Sequence, residues 1–320
     1  MSDTKTDWYF IVNPRAGSGK TMSKWVPAEQ KLQKLGIGFV TVMTDHKKHA
    51  TSLAEDAARL GYRRIMAVGG DGSLHEVMNG ICNWCDESGA PTEDFTIGVM
   101  PIGSGNDWIK SMGLPHDFDA IISILSDGTT GQMDVVKVRM GNGSCKYMAN
   151  IGGTGFDSHV CSRVNIQKES GKRSKLIYLD GLRYTMTHIS SIRLKVIADG
   201  APVFEGDCYS VALGNGCYSG GGMRQVPLAD PCDGILDYMV VPKLPLGTIA
   251  RQIPRLFSGN LHKSPDVISG RCKSLQIVPL DSSSEDIVEL DGEIEGRLPL
   301  SIEMEPRKIR VIKTSPDTEA

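Results

Sequence analysis

The chain has 320 residues, 40% of them hydrophobic, which is enough to build two ordinary cores. A formal net charge of -3 gives no footing for nucleic acid as the main partner. The opening MSDTKTDWYFIVNP lacks a basic-then-apolar leader, and no apolar stretch approaches the ~20 residues of a membrane helix, so a cytoplasmic protein that visits a membrane without crossing it is expected.

The first apolar run, residues 9–12, reads as a strand that opens into NPRAGSGK, residues 13–20. Its Gly19-Lys20-Thr21 resembles the end of a Walker A motif, but that spacing demands glycine at position 14, where the chain has Pro14. Helix-like periodicity follows at 23–35, a strand at 39–43 ending beside Thr44, and a second helix at 50–60. A third strand, 65–68, leads into GGDGSLHEVMNG, residues 69–80, and a helix at 73–83. A fourth, 96–100, enters PIGSGND, residues 101–107. Alternation of strand and helix from residue 8 to about 130 is the pattern of a parallel sheet.

After about Asp134 the pattern changes to Val- and Ile-rich strands separated by turns such as 140–143 and 198–200, which predicts an antiparallel sheet or sandwich. Helices are expected near 175–188 and 246–257. The eight cysteines lie mostly alone; Cys82 and Cys85 share C-x-x-C spacing but sit on a helix with no partner cluster, so packed or exposed thiols are expected there.

The turn at Gly69, Gly70, Asp71 and Gly72 is the most informative segment. Glycines let backbone approach an anion closely, the following helix offers N–H groups, and Asp71 can hold a phosphate-bound magnesium. Ligands of open α/β sheets collect at such strand ends. Three strand ends here carry Gly-rich loops bearing Asn or Asp.

These segments, together with NIGGTGFD (150–157), VPLADPCDGILD (226–237) and LDGE (290–293), stand in the order seen in the diacylglycerol kinase catalytic-domain superfamily, and the chain resembles its bacterial lipid kinases over nearly its whole length. The resemblance implies an ATP-binding α/β domain over residues 1–133, with 302–315 returning to it, and a β-sandwich lipid-substrate domain over 134–301. It implies ATP as phosphate donor, with magnesium, and a lipid hydroxyl as acceptor, most readily diacylglycerol or a related glycerolipid. It assigns Asn13, Pro14, Arg15, Ala16, Gly17 and Thr44 to the nucleotide phosphates, with Gly69, Gly70, Asp71, Gly72, Ser73, Leu74, His75 and Glu76 as the central phosphate-binding turn. Ser104 stands where the family has threonine, keeping the hydroxyl, and Asn106 with Asp107 completes that loop. Asn106 also suits a helix N-cap.

Within the resemblance Glu293 is the proton acceptor, Asp291 orients it or holds magnesium, and Asp71 is the rival base. If residues 290–293 are extended, Asp291 and Glu293 face one way. A structural magnesium is implied at the Asp233 side chain and the carbonyls of Asp230 and Ile235, while a simple turn also suits that sequence. The lipid substrate places the protein at the inner face of a membrane, with a homodimer as a further expectation. Lys172, Arg173 and Lys175 are candidates for headgroup contact, and the stripe 246–257 for apolar surface or core. Sphingoid bases, soluble metabolites and a non-catalytic nucleotide- or lipid-binding role remain as alternatives.

Overall fold

A computed structural model describes residues 5–103, 105–169, 180–181, 184 and 190–314. The chain divides into two compact units, one running from the N-terminus to Val135 and resuming at Pro306, the other Val136–Glu305. The first unit is built from β1 (Lys5–Val12), α1 (Thr21–Lys34), β2 (Phe39–Met43), α2 (His49–Arg59), β3 (Tyr62–Gly69), α3 (Asp71–Ser88), β4 (Thr96–Pro101), α4 (Asp107–Ser111), α5 (Phe118–Asp127) and the start of β5 (Thr130–Met140).

Strands β2, β1, β3 and β4 lie side by side in that order, all parallel. The chain leaves β1 to one side for β2 and returns to its other side for β3, so the order reverses between β1 and β3. Such a switch point opens a crevice beyond the carboxyl ends of the strands. Phe10, Ile11, Ile65, Met66, Val68, Ile97 and Met100 are almost fully buried, as parallel strands covered on both faces require. Trp25 of α1 is buried against Phe10, with ring centroids 4.9 Å apart.

The second unit holds β6 (Cys145–Met148), β7 (Ile151–Gly155), α6 (Phe156–Glu169), β8 (Ile192–Ala198), β9 (Ala201–Gly214), β10 (Leu236–Pro242), α7 (Leu246–Ser258), β11 (Ile268–Cys272), β12 (Ser274–Pro279), β13 (Ile287–Leu290), β14 (Glu293–Arg297) and the start of β15 (Leu300–Ile312). Its pairs are antiparallel, in the order β14-β13-β7-β9-β8-β12-β15, with β10 and β11 branching from β9. In β8, Ile192, Leu194, Val196 and Ala198 alternate inward, the period of a half-buried strand. The β8–β9 hairpin turns through Asp199 (φ 47°) and Gly200 (φ 79°), two left-handed positions that match the twist of the strands. The end of β15 runs parallel to β4, Arg310 beside Thr96.

The mixed architecture agrees with the expected change from parallel to antiparallel strands. The expected helix at 175–188 and the basic residues Lys172, Arg173 and Lys175 lie outside the described residues. Helices α5 and α6 were not anticipated, and α4 was implied only through the N-cap reading of Asn106. Cys82 and Cys85 are buried free thiols, and burial pushes the Cys85 thiol up to about 12, so they act as core. Among the described residues no helix is long and apolar enough to cross a membrane.

Gly80, the last residue of the longest glycine motif, serves packing. A Cβ there would lie 2.2 Å from the carbonyl oxygen of Thr51 and 2.8 Å from Ala54 Cβ, so α3 touches α2 backbone directly. Alanine would gain ~1 kcal/mol of helix propensity, but overpacking against a backbone oxygen costs ~1–3 kcal/mol. The clash is with backbone, which takes the upper end of that cost, so Gly80→Ala is expected to lower unfolding free energy by up to about 2 kcal/mol in urea melts. Unchanged or increased stability would contradict this close approach.

Candidate active site

The three glycine loops meet at the carboxyl ends of β1, β3 and β4. Asn13 donates its N–H to Val68 O at 3.0 Å, and Ile102 donates to Gly69 O at 2.7 Å. The loop after β1 makes one tight turn, Ala16–Gly19, with Gly17 (φ 54°), Ser18 (φ 63°) and Gly19 (φ 79°) left-handed. A Cβ at Gly17 would fall 2.4 Å from Ile102 O, and one at Gly70 3.2 Å from Gly103 Cα. Both contacts exist only because these residues lack side chains. Asn13 Oδ1 accepts the N–H of Arg15 at 3.0 Å, which curls the first loop over the others. Thr44 is buried beside it, donating its N–H to Val12 O at 2.9 Å.

Asp71 opens α3, and its Oδ1 accepts the N–H of Trp108 at 3.0 Å. It thereby caps α4 from another segment, placing a negative charge at that helix's positive end. Asn106, at the N-cap position itself, has φ 48° and makes no side-chain cap; its Nδ2 donates back to Gly103 O at 3.0 Å. The capping role expected of Asn106 thus belongs to Asp71. Asn106 Oδ1 is buried without a hydrogen-bond partner, close to Gly70 and Gly103. Such an orphan acceptor suits a donor group on a ligand. Oδ2 atoms of Asp71 and Asp107 would lie 3.1 and 3.2 Å from a Cβ on Gly105, so two carboxylates flank that glycine.

The rest of the GGDG motif divides by depth. Gly69, Gly70, Gly72 and Ser73 belong to the turn, where Ser73 Oγ accepts from Asn13 Nδ2 at 3.5 Å. Leu74 and His75 are buried side chains, His75 lying 3.4 Å from Asn79 Nδ2. Glu76 accepts the N–H groups of Lys48 at 2.9 Å and Ala50 at 3.0 Å, capping α2. The expected phosphate role therefore does not extend to the side chains of Leu74, His75 or Glu76. Pro14 and Ala16 are partly exposed and Arg15 exposed along the first loop. Ser104 lies outside the described residues.

In the second unit Asp291 is a turn residue with φ 53° and not an extended one, so the expected alternation with Glu293 does not hold. Its carboxylate accepts the N–H groups of Ala149 at 2.9 Å and Asn150 at 2.8 Å, while its own N–H bonds Ile151 O at 2.7 Å. Glu289 accepts from Gly292 N at 2.9 Å, and Asn165 of α6 donates to Gly292 O at 3.1 Å. Three segments, 149–151, β13 and α6, thus fix the turn that presents half-buried Glu293 at the start of β14. Asp291 is anchored, each carboxylate oxygen accepting a backbone N–H. Sequence alone did not point to Glu289 or Asn165, and Asn150 stood out only as the first residue of NIGGTGFD; the fold brings all three to the turn.

In the loop at 230–235, where a structural magnesium is implied, the Asp233 side chain is engaged by protein groups. Asp233 Oδ1 accepts Ile235 N–H at 3.0 Å, and its Oδ2 is engaged by the Arg271 guanidinium. Asp230 O already accepts Asp233 N–H at 3.4 Å, and Asp230 Oδ1 takes Cys232 N–H at 3.0 Å. Arg271, opposite Asp237 across β10 and β11, also donates from Nε to Asp237 Oδ2 at 3.2 Å. Burial pushes the Asp237 carboxyl up, and the guanidinium opposes that. In this structure Arg271 stands beside Asp233 where the cation implied at Asp230, Asp233 and Ile235 would lie.

Residues 7–138 match the family described as the diacylglycerol kinase catalytic domain, and residues 150–313 match the YegS C-terminal NAD kinase beta sandwich-like domain. The chain belongs to the diacylglycerol kinase catalytic-domain family. A diacylglycerol kinase of Staphylococcus epidermidis is 30% identical over 292 residues, covering 90% of this chain and 86% of that protein. One from Mycobacterium tuberculosis is 25% identical over 304 residues, covering 95% and 94%. A crystal structure of a diacylglycerol kinase from Bacillus anthracis shares the fold with a TM-score of 0.70 at 22% identity, covering 97% of both chains. Membership agrees with the resemblance seen in the six motifs and places the chain among kinases.

If Arg271 takes the ion's place, nucleotide-free protein should melt at the same temperature with and without millimolar magnesium. Arg271→Met should melt lower and regain stability as magnesium rises, because the acids at 233 and 237 then lack a cation. A wild-type melting temperature that climbs with magnesium would restore the metal site.

Proposed function

We propose that the chain is an ATP-dependent lipid kinase that transfers the γ-phosphate to a lipid hydroxyl, with diacylglycerol or a related glycerolipid as acceptor. The observation that carries the reading is the convergence of three glycine loops, backbone against backbone, at the switch point of the parallel sheet, with Asp71 fixed among them. Backbone N–H groups, a helix start and carboxylates in one place suit a triphosphate and its cation. The names of the curated relatives favour diacylglycerol over a sphingoid base or a soluble metabolite as acceptor.

Asp71 would hold the magnesium that arrives with the nucleotide, where it would neutralise triphosphate charge, while Asp107 is paired with Lys110 at 2.8 Å. Asn13 and the loop through Gly17 orient the phosphates, and Asn106 Oδ1 accepts a donor from the nucleotide. Glu293 takes the proton of the lipid hydroxyl as its oxygen bonds the γ-phosphorus and the bridging bond to ADP breaks. Asp291 acts through Glu293 by fixing the turn. Positioning and electrostatics supply most of the rate, as is usual for phosphoryl transfer. The setting is cytoplasmic, at the inner face of a membrane where the lipid resides.

Glu293→Gln keeps size but cannot accept a proton, so turnover should fall ~10²–10⁴-fold while the KM for ATP stays within a few-fold. Labelled ATP offered with diacylglycerol, a sphingoid base and soluble alcohols should put label into organic solvent with diacylglycerol. Transfer to soluble alcohols alone would refute the lipid reading, and wild-type turnover in Glu293→Gln would move the base to Asp71.

A further inference from the structure

Helix α7, Leu246–Ser258, differs from the other long helices of the chain. None of its described side chains is buried, whereas α1, α2, α3 and α5 each bury at least four and α6 buries Ser158, Val164 and Gln167. Its apolar residues Ile249, Ile253 and Leu256 fall on one stripe and are only half-covered. Phe257, at the edge of that stripe, is 56% exposed. The outer face carries Gly247, Arg251, Pro254, Arg255 and Ser258, all exposed.

Charge around the helix is one-sided. No Asp or Glu occurs from Tyr238 to Pro265, a span that contains Lys243, Arg251, Arg255 and Lys263, in a chain whose net charge is negative. The acids that reach this span come from elsewhere: Asp266 accepts from Gln252 at 2.9 Å, and Asp207 lies 3.6 Å from Lys243. Neither engages Arg251 or Arg255; Arg251 donates to Thr248 Oγ1 at 3.1 Å. The helix is tied down at its C-terminal end, where Arg224 N–H donates to Leu256 O at 3.1 Å and Leu256 packs against a cluster of Val226, Met239 and Leu261.

We propose that α7 is a docking helix for an anionic lipid surface, an inference that rests on the lipid-acceptor reading and names the element that reaches the lipid. An acid-free cationic face with an exposed aromatic at its edge is the composition of a helix that lies in a headgroup layer, arginines on phosphates and ring among the upper acyl chains. A second copy of the chain fits less well, because pairing this face with itself sets Arg251 and Arg255 against like charges with no acid on the helix to answer them. Nucleic acid would engage the arginines but leave Phe257 and Pro254 without an apolar partner.

The test is sedimentation of the full-length protein with vesicles of phosphatidylcholine containing 30% phosphatidylglycerol, and with phosphatidylcholine alone, at 0.1 M and 0.5 M salt. Wild type should bind the anionic vesicles and lose affinity as salt rises. Arg251→Ser with Arg255→Ser should weaken binding about 30-fold, since each basic residue near such a surface contributes about fivefold. Phe257→Ser should weaken it several-fold at both salt concentrations. All variants should phosphorylate a short-chain, water-soluble diacylglycerol as wild type does. Failure of wild type to bind anionic vesicles, unaltered binding by the variants, equal loss on the soluble acceptor, or tighter binding to duplex DNA than to vesicles would each overturn the proposal. Absence of lipid phosphorylation by wild type would instead refute the kinase reading, because sedimentation measures docking without turnover.

Discussion

The site in the first unit depends on contacts that side chains would forbid. Gly17 against Ile102 O and Gly70 against Gly103 bring three strand-end loops into backbone contact, which concentrates peptide N–H groups where the strand order reverses. A Cβ at either glycine would need backbone to move, and at Gly17 the left-handed φ adds strain. The parallel sheet dictates where the loops start, and the glycines let them close together. Everything assigned to the nucleotide hangs on that closure.

The acidic residues of the motifs work largely on backbone. Asp71 caps α4, Glu76 caps α2, and Asp291 binds two adjacent N–H groups on the segment leading into β7. Charge-assisted bonds of this kind are about twice as strong as neutral ones, so they lock the geometry of the loops they join. Asp71 therefore has two tasks, holding Trp108 N–H with one oxygen and leaving the other beside Asp107 and Gly105. Phosphoryl transfer gains from such preorganisation, since little reorganisation is left for the moment of reaction.

Architecture was legible because periodicity reports which faces are covered: both faces for β3 and β4, one for β8. The motif order identified the family from residues alone. Individual roles inside a motif were less legible. GGDGSLHEVMNG reads as one phosphate signature, yet His75 is core, Glu76 is a cap and Gly80 is a helix contact. The last two arise from a neighbour distant in sequence, which a local pattern cannot display. Arg271 is the sharpest case: it neutralises Asp233 and Asp237 through the register of β10 with β11, and nothing near residue 233 announces it. The left-handed turn at Asp291 was hidden for a related reason, since Asp-Gly suits both a turn and a short extended link.

Amide hydrogen exchange with and without magnesium-ATP tests the central claim most directly. The account predicts protection concentrated in three segments, 13–20, 69–74 and 101–108, because their N–H groups and the helix starts beside them receive the phosphates. Protection should weaken in all three together in Gly70→Val, where a side chain holds the loops apart. Nucleotide-induced protection confined to the second unit, or equal in wild type and Gly70→Val, would contradict a phosphate site built on this backbone contact.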